Sequence, residues 1–353
     1  MCKSRSDAVP ASSTASRSRR SSIASAAAAA SASAATTSSS SSSSRPLSSS
    51  ISASTASAAS STSLAAARAS LPDPPVLYPF QEVAAATNNF LARRAPASDY
   101  WPCTLRGRSA ALFQLRPRPR QRDELKAALA ATGRFHHTSI APLLGACVAG
   151  SHHVYLAYEL PPGGATLASC LRSPRNPRFT SLRTWLSRVQ VAADVAQGLE
   201  YIHHHAAAVH GRVSTSTVLI SDPGLRARLT HMGAAQLADM EEEASREADV
   251  RAFGLLLLEL LSGETYRLLE TAAAARASGR VRSWVDRRLG DSFPQAAAER
   301  LVGVALRCAA EEQPTPPEMT WVAGKVSKAY IESRAWDHTV RPPADFSVSL
   351  GPR

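Results

Sequence analysis

Histidine clusters are the first residues in this chain whose types could do chemistry: His136-His137, His152-His153 and His203-His204-His205. Imidazole is a common metal ligand, but neighbours on a helix or strand point in different directions and seldom converge on one ion. They are expected to form a polar helix end and loop surface, with no metal site. Cys2, Cys103, Cys147, Cys170 and Cys308 are odd in number and contain no Cys-x-x-Cys pair. That pattern argues against a zinc site or a disulfide scaffold and fits a reducing compartment. A second group is richer: Val209-His210-Gly211-Arg212-Val213-Ser214-Thr215-Ser216-Thr217, then His231-Met232-Gly233, then Asp249. Arg212 cannot serve as a general base there, because a guanidinium stays protonated at any working pH.

The elements that must position these residues occupy only part of the 353-residue chain. Met1 to Ser70 contains 28 Ser and 20 Ala and no aromatic residue, so it cannot bury enough apolar surface to offset the entropy of ordering. It is expected to be disordered. It carries seven Lys or Arg against Asp7 alone, half of the net charge of +12. Three readings of this tail stand side by side: an organelle transit peptide, a membrane-contacting segment with Cys2 as a lipidation site, and a solvated phosphorylatable tail. It has no aromatic residues interleaved with its charge, so nucleic acid is not expected as a partner. No apolar run approaches the ~20 residues of a membrane-spanning helix.

Leu71-Pro-Asp-Pro-Pro75 is a stiff connector, and Tyr78 to Phe90 (YPFQEVAAATNNF) reads as an amphipathic helix with Phe80, Val83, Ala84 and Thr87 near one face. Trp101 to Leu115 reads as two strands turning at Arg106-Gly107-Arg108. The run from Arg116 to Arg122 is a cationic, proline-extended loop, with Asp123 capping a helix over Glu124 to Thr132. Ile140–Cys147 and His153–Glu159 read as further strands, and the chain beyond Pro161 is mostly helical. Strands first and helices second predict an α+β protein with a small β-rich lobe and a large helical lobe.

Several stretches, in this order, resemble a plant receptor-like protein kinase domain: YPFQEVAAATNNF, FHHTSIAPLLGAC, VYLAYELPPGGATL, TWLSRVQVAADVAQGLEYIHHH, ADVRAFGLLLLELLSGE and AERLVGVALRCAAEE. The resemblance covers roughly residues 78 to 335 and implies a bilobal protein-kinase-like fold. It divides the chain into the tail (1–72), a linker and lead-in helix (73–90), an N-lobe (91–160), a C-lobe (161–335) and a C-terminal tail (336–353).

Kinase chemistry is positioning plus charge stabilisation, and each part requires a residue type. Where the family has a glycine-rich loop over the phosphates, Arg93 to Trp101 contains no glycine. The strand lysine falls at Gln114, and its helical acid partner at Ala128. The catalytic base falls at Arg212, and the metal-binding Asn and Asp at Thr217 and His231. A vestigial nucleotide cleft is expected near Gln114, Tyr158 and Glu159. Only fifteen residues separate Gly233 from Asp249, with Glu241-Glu242-Glu243 among them. The positions that hold the fold together remain: His210, Met232, Gly233 and Asp249. The resemblance therefore implies a pseudokinase, with ATP and Mg²⁺ as cofactors only if it is instead an atypical Ser/Thr kinase. Its partners would be proteins, among them active kinases or receptors. The helix around Ala128 and the Arg116 to Arg122 loop are the first candidates for the contact surface. A cytoplasmic location is expected, with peripheral plasma-membrane contact through the tail, or a plastid if the tail is a transit peptide.

Overall fold

The computed structural model describes residues 73–340, apart from 93, 96–98, 117–121, 151–152, 173–181, 233, 235–243, 291 and 311–314. All described residues belong to one unit, Thr62–Arg353. The tail with its Cys2, the basic loop beyond Arg116, Gly233 and the Glu241–Glu243 run lie outside the described residues.

The small lobe is a five-stranded sheet in the order β1-β4-β5-β3-β2. Its strands are β1 (Val76–Leu77), β2 (Tyr100–Leu105), β3 (Arg108–Leu115), β4 (Leu143–Ala149) and β5 (His153–Glu159). β2, β3, β5 and β4 pair antiparallel, while β1 adds in parallel to β4. Helix α1 (Phe80–Ala86) precedes β2, and α2 (Arg122–Thr132) packs under the sheet through Leu125 and Leu129. Helix α1 is shorter than its periodicity predicts. The chain leaves it at Thr87, whose hydroxyl donates to the Val83 carbonyl (2.9 Å), and Asn88, Asn89 and Phe90 all take positive φ. A left-handed backbone costs ~1–2 kcal/mol per residue for anything but glycine, although asparagine tolerates it better. The compensation is aromatic: Phe90 stacks on Tyr155 (4.8 Å) and Phe80 (5.9 Å) and meets Trp101 edge-on (5.5 Å).

The large lobe starts with β6 (Ala165–Thr166) and α3 (Leu167–Arg172), and its long central helix is α4 (Trp185–Glu200). Two short strands come next, β7 (Val218–Ile220) and β8 (Ala227–Leu229), which make a three-stranded sheet with β6. Five helices complete it: α5 (Arg246–Ser262), α6 (Leu268–Ala277), α7 (Val281–Trp284), α8 (Gln295–Ala309) and α9 (Met319–Val340). Helix α5 begins on Ser245, whose side chain accepts from Ala248 N–H, and ends on left-handed Gly263. It is apolar on nearly every side because it runs through the core, with Phe253, Leu257, Leu258 and Leu260 fully buried. Gly254 is what lets α8 lie against it: a methyl there would sit 2.7 Å from the Ala305 carbonyl oxygen. No described helix is long and apolar enough to cross a membrane. The two-lobed α+β architecture is the one the order of elements predicts.

Candidate functional site at the lobe junction

The loop between α4 and β7 is held from below by one carboxylate. Asp249, in the first turn of α5, is buried and accepts from His210 N–H (2.8 Å), Gly211 N–H (2.8 Å) and His203 Nε2 (2.9 Å). His210 Nε2 donates to the Thr230 carbonyl (2.6 Å), so its Nδ1 is left to accept the Arg212 amide (3.1 Å). The hydroxyl of Thr217 is consumed inside the loop: it reaches the carbonyls of Arg212 (2.8 Å) and Ser214 (3.0 Å) and accepts the Ser214 amide (3.1 Å). The Arg212 side chain itself is exposed.

Above this loop the junction is filled by rings. Phe113 of β3 meets His231 edge-on at 4.6 Å, His231 stacks on Tyr158 at 5.8 Å, and Tyr100 of β2 tilts against Phe113 at 5.4 Å. Leu219 of β7 and Ala234 belong to the same buried cluster. Gln114 does not take part, which corrects the expectation that it lines the cleft. Successive strand residues face opposite sides, and here Phe113 turns inward while Gln114 turns outward to meet His153 Nδ1 at 2.9 Å. Ala128 packs on the inner cluster, on the same side as Phe113. Phe113 and Ala128 therefore share one apolar contact layer on the inner side of the sheet. Tyr158 is buried and Glu159 is not: Glu159 pairs with Arg108 (3.2 Å) and Arg228 (3.7 Å) at the edge. The Tyr158 hydroxyl lies near the His231 backbone but makes no hydrogen bond among the described residues, and burial pushes its pKa up.

Burial, reinforced by the nearby Arg212 cation, holds His231 well below the ordinary histidine pKa. Burial also lowers His210, outweighing the opposite pull of Asp249. Both imidazoles are therefore neutral in the folded protein at neutral pH. In the unfolded chain they titrate near pH 6.5, so below that pH the unfolded state binds more protons and stability falls as pH falls. Each histidine adds a slope of up to about 1.4 kcal/mol per pH unit. Melting temperature is expected to drop from pH 7.5 to 5.5, and His231→Gln should flatten that drop; an unchanged profile would sink this reading.

These residues do not fit a magnesium-bound nucleotide. A hard dication wants oxygen ligands, whereas the two positions that should supply them hold a neutral imidazole with its Nδ1 against the Thr230 hydroxyl (2.8 Å) and a threonine hydroxyl already used in the loop. The phosphate-facing strand position holds Phe113, which brings no charge. Among the described residues no three His, Cys, Asp or Glu side chains gather as a metal site. The histidine triplet diverges along a π-helical turn: His203 goes to Asp249, His204 to Thr320 (2.8 Å), and His205 stacks on Tyr201 (5.6 Å).

One further polar centre of the large lobe escaped the sequence reading. Arg188 of α4 is fully buried and donates to the carbonyls of Leu182 (2.9 Å) and Leu260 (2.8 Å) and to Asp286 Oδ2 (2.6 Å). Nothing local signals this pairing, since the partners lie 98 residues apart.

Comparison with known proteins agrees with this fold. The family model for protein tyrosine and serine/threonine kinases matches residues 113–325. The chain is 28% identical over 308 residues to chitin elicitor receptor kinase 1 of Arabidopsis thaliana, covering 75% of this chain and 48% of that protein. It is 27% identical over 301 residues to the probable receptor-like protein kinase At2g47060 of the same plant, covering 73% and 82%. The chain spans 48% of the length of chitin elicitor receptor kinase 1 and 35% of that of a leucine-rich repeat receptor-like kinase of the same plant. In structure it resembles the pseudokinase domain of BIR2, described as an immune regulator of the RLK/Pelle family, with a TM-score of 0.61. That match covers 74% of this chain and 88% of the other at 23% identity, a likeness of fold.

Proposed function

Because this chain belongs to the protein tyrosine and serine/threonine kinase family, with plant receptor-like kinases as its relatives, we propose that it is a pseudokinase that acts by binding other proteins of receptor-kinase signalling. The observation that carries this reading is the ring cluster of Phe113, Tyr158 and His231, which occupies the junction where a nucleotide's phosphates and metal would sit. Arg212 supports it, since a permanently protonated side chain cannot take the substrate's hydroxyl proton. The retained architecture supports it as well: Asp249 holds the loop in shape although the loop's chemical groups have changed. A kinase fold without transfer can influence a partner only through contacts that differ between the partner's states, so it acts as a scaffold or allosteric partner.

The test is a thermal melt of the full chain in millimolar ATP with and without MgCl₂, followed by a radiolabelled phosphate-transfer assay. A ligand specific for the folded state at a hundredfold excess over Kd would add about 2.7 kcal/mol. No shift and no transfer are expected. A Mg²⁺-dependent shift accompanied by transfer lost on Arg212→Ala would make the protein an atypical Ser/Thr kinase instead.

A further inference from the structure

A strongly cationic concavity lies away from the lobe junction, on the large lobe where α6, α8 and α9 meet. It is a groove of about 390 Å³ whose rim carries Arg276, Arg300, Arg307, Lys325 and Lys328 against the single carboxylate of Glu332. Glu332 is already paired with Arg300. Among the described residues Arg276, Arg307, Lys325 and Lys328 have no carboxylate partner. The floor is apolar, made by Leu301, Val304 and Ala329. One wall is Trp321, with Arg307 over its ring at 4.6 Å and Lys325 at 5.6 Å. Gly303 is what admits Arg276, because a Cβ at that position would overlap the Arg276 guanidinium. Four unpaired cations around an apolar floor repel one another, and a ligand of opposite charge relieves that repulsion.

We propose that this groove binds an acidic peptide segment of a partner protein, with one apolar side chain seated on Val304 and Trp321 and its acidic neighbours on the cationic rim. The charge selects the partner's sign, and the apolar floor selects a peptide over a free anion. The chain's own N-terminal tail has the wrong sign to fill it, with seven cations against one acid. The inference goes beyond the function proposed above and does not depend on whether the cleft takes nucleotide.

The experiment is fluorescence anisotropy of a fluorescein-labelled Glu-Asp-Leu-Asp-Glu peptide titrated with the full chain, without nucleotide. Parallel arms use a Gln-Asn-Leu-Asn-Gln peptide, a Glu-Asp-Gly-Asp-Glu peptide, and vesicles of phosphatidylcholine with phosphatidylserine. The acidic leucine peptide should bind best, weaken with added salt, and lose about tenfold or more in affinity on K325E/K328E. The melting temperature of that variant should not fall, since both lysines are exposed and their replacement relieves repulsion within the groove. Equal binding of the neutral peptide, equal binding of the glycine peptide, or affinity unaffected by K325E/K328E would overturn the proposal. So would loss of vesicle binding on K325E/K328E with no peptide binding at all, which would make the groove a lipid site. Peptide binding that appears only in E241Q/E242Q/E243Q would make the chain's own acidic run the occupant and overturn it too.

Discussion

Asp249→Ala is expected to destabilise the protein by about 3–5 kcal/mol, the cost of leaving buried donors without their ionised acceptor. Domains of this kind are stable by only ~5–15 kcal/mol, so one side chain would remove a large share. The reason is geometric. The carboxylate is almost wholly buried and takes two backbone amides and one imidazole, and His203 and His210 among those donors are themselves buried. Asp249→Asn separates charge from shape. The amide keeps one oxygen but turns its NH₂ toward another donor, so the loss should be smaller, ~2–3 kcal/mol. Urea unfolding of both variants checks this, with midpoints compared at equal slope. A loss below about 1 kcal/mol for the alanine variant would mean that the loop is held by something other than Asp249.

Arg188→Ala is the second large effect, again about 3–5 kcal/mol, through a different route. Its guanidinium caps the carbonyls of Leu182 and Leu260, and removal leaves both oxygens buried without a donor. Asp286 is less exposed to the loss, because Arg288 also holds it through Nε (2.8 Å to Oδ2) and through its backbone amide (2.9 Å to Oδ1). Arg188→Met should therefore cost less than alanine, since it fills the space and removes a buried charge whose neighbour has a second partner. Acid adds an independent check. Burial works to raise the Asp286 carboxyl, but Arg288 and Arg188 outweigh it and hold it below the ordinary carboxylate value. Its folded pKa is depressed, so its contribution is present above the unfolded value near 4 and is lost as pH falls through the folded one. Asp286→Asn should flatten the acid limb of the stability curve below about pH 4. If Arg188→Ala melts like the parent, the interior of this lobe does not depend on the pair.

The fold was largely legible in the residues themselves, and the site only partly. The strands at β2 and β3 follow from their β-forming residues and from the turn at Arg106-Gly107, and α5 follows from an apolar run at its place in the family's order of stretches. The roles of His210 and Asp249 rest on their place in a recognisable word order; in the structure Asp249 accepts the His210 amide and His210 donates to the Thr230 carbonyl. Gln114 went astray for a physical reason. The strand Arg108–Leu115 is apolar on both faces, so its residues do not say which face looks inward. Only the pairing of Tyr100 with Phe113 and of Phe113 with Leu156 puts Phe113 beside His231.

What the sequence by itself determined about this protein is its family, its order of elements and the types of residue at the chemical positions. These are local or ordered along the chain, so a linear reading captures them. Tertiary structure alone decided that the replaced residues pack into one ring cluster, that Arg188 meets Asp286, and that cations from α6, α8 and α9 share a groove. Each of those depends on residues far apart in the chain. On its own helix, each of the groove's cations looks like an ordinary solvated residue, because a helix's periodicity shows which side is polar and not what it will face.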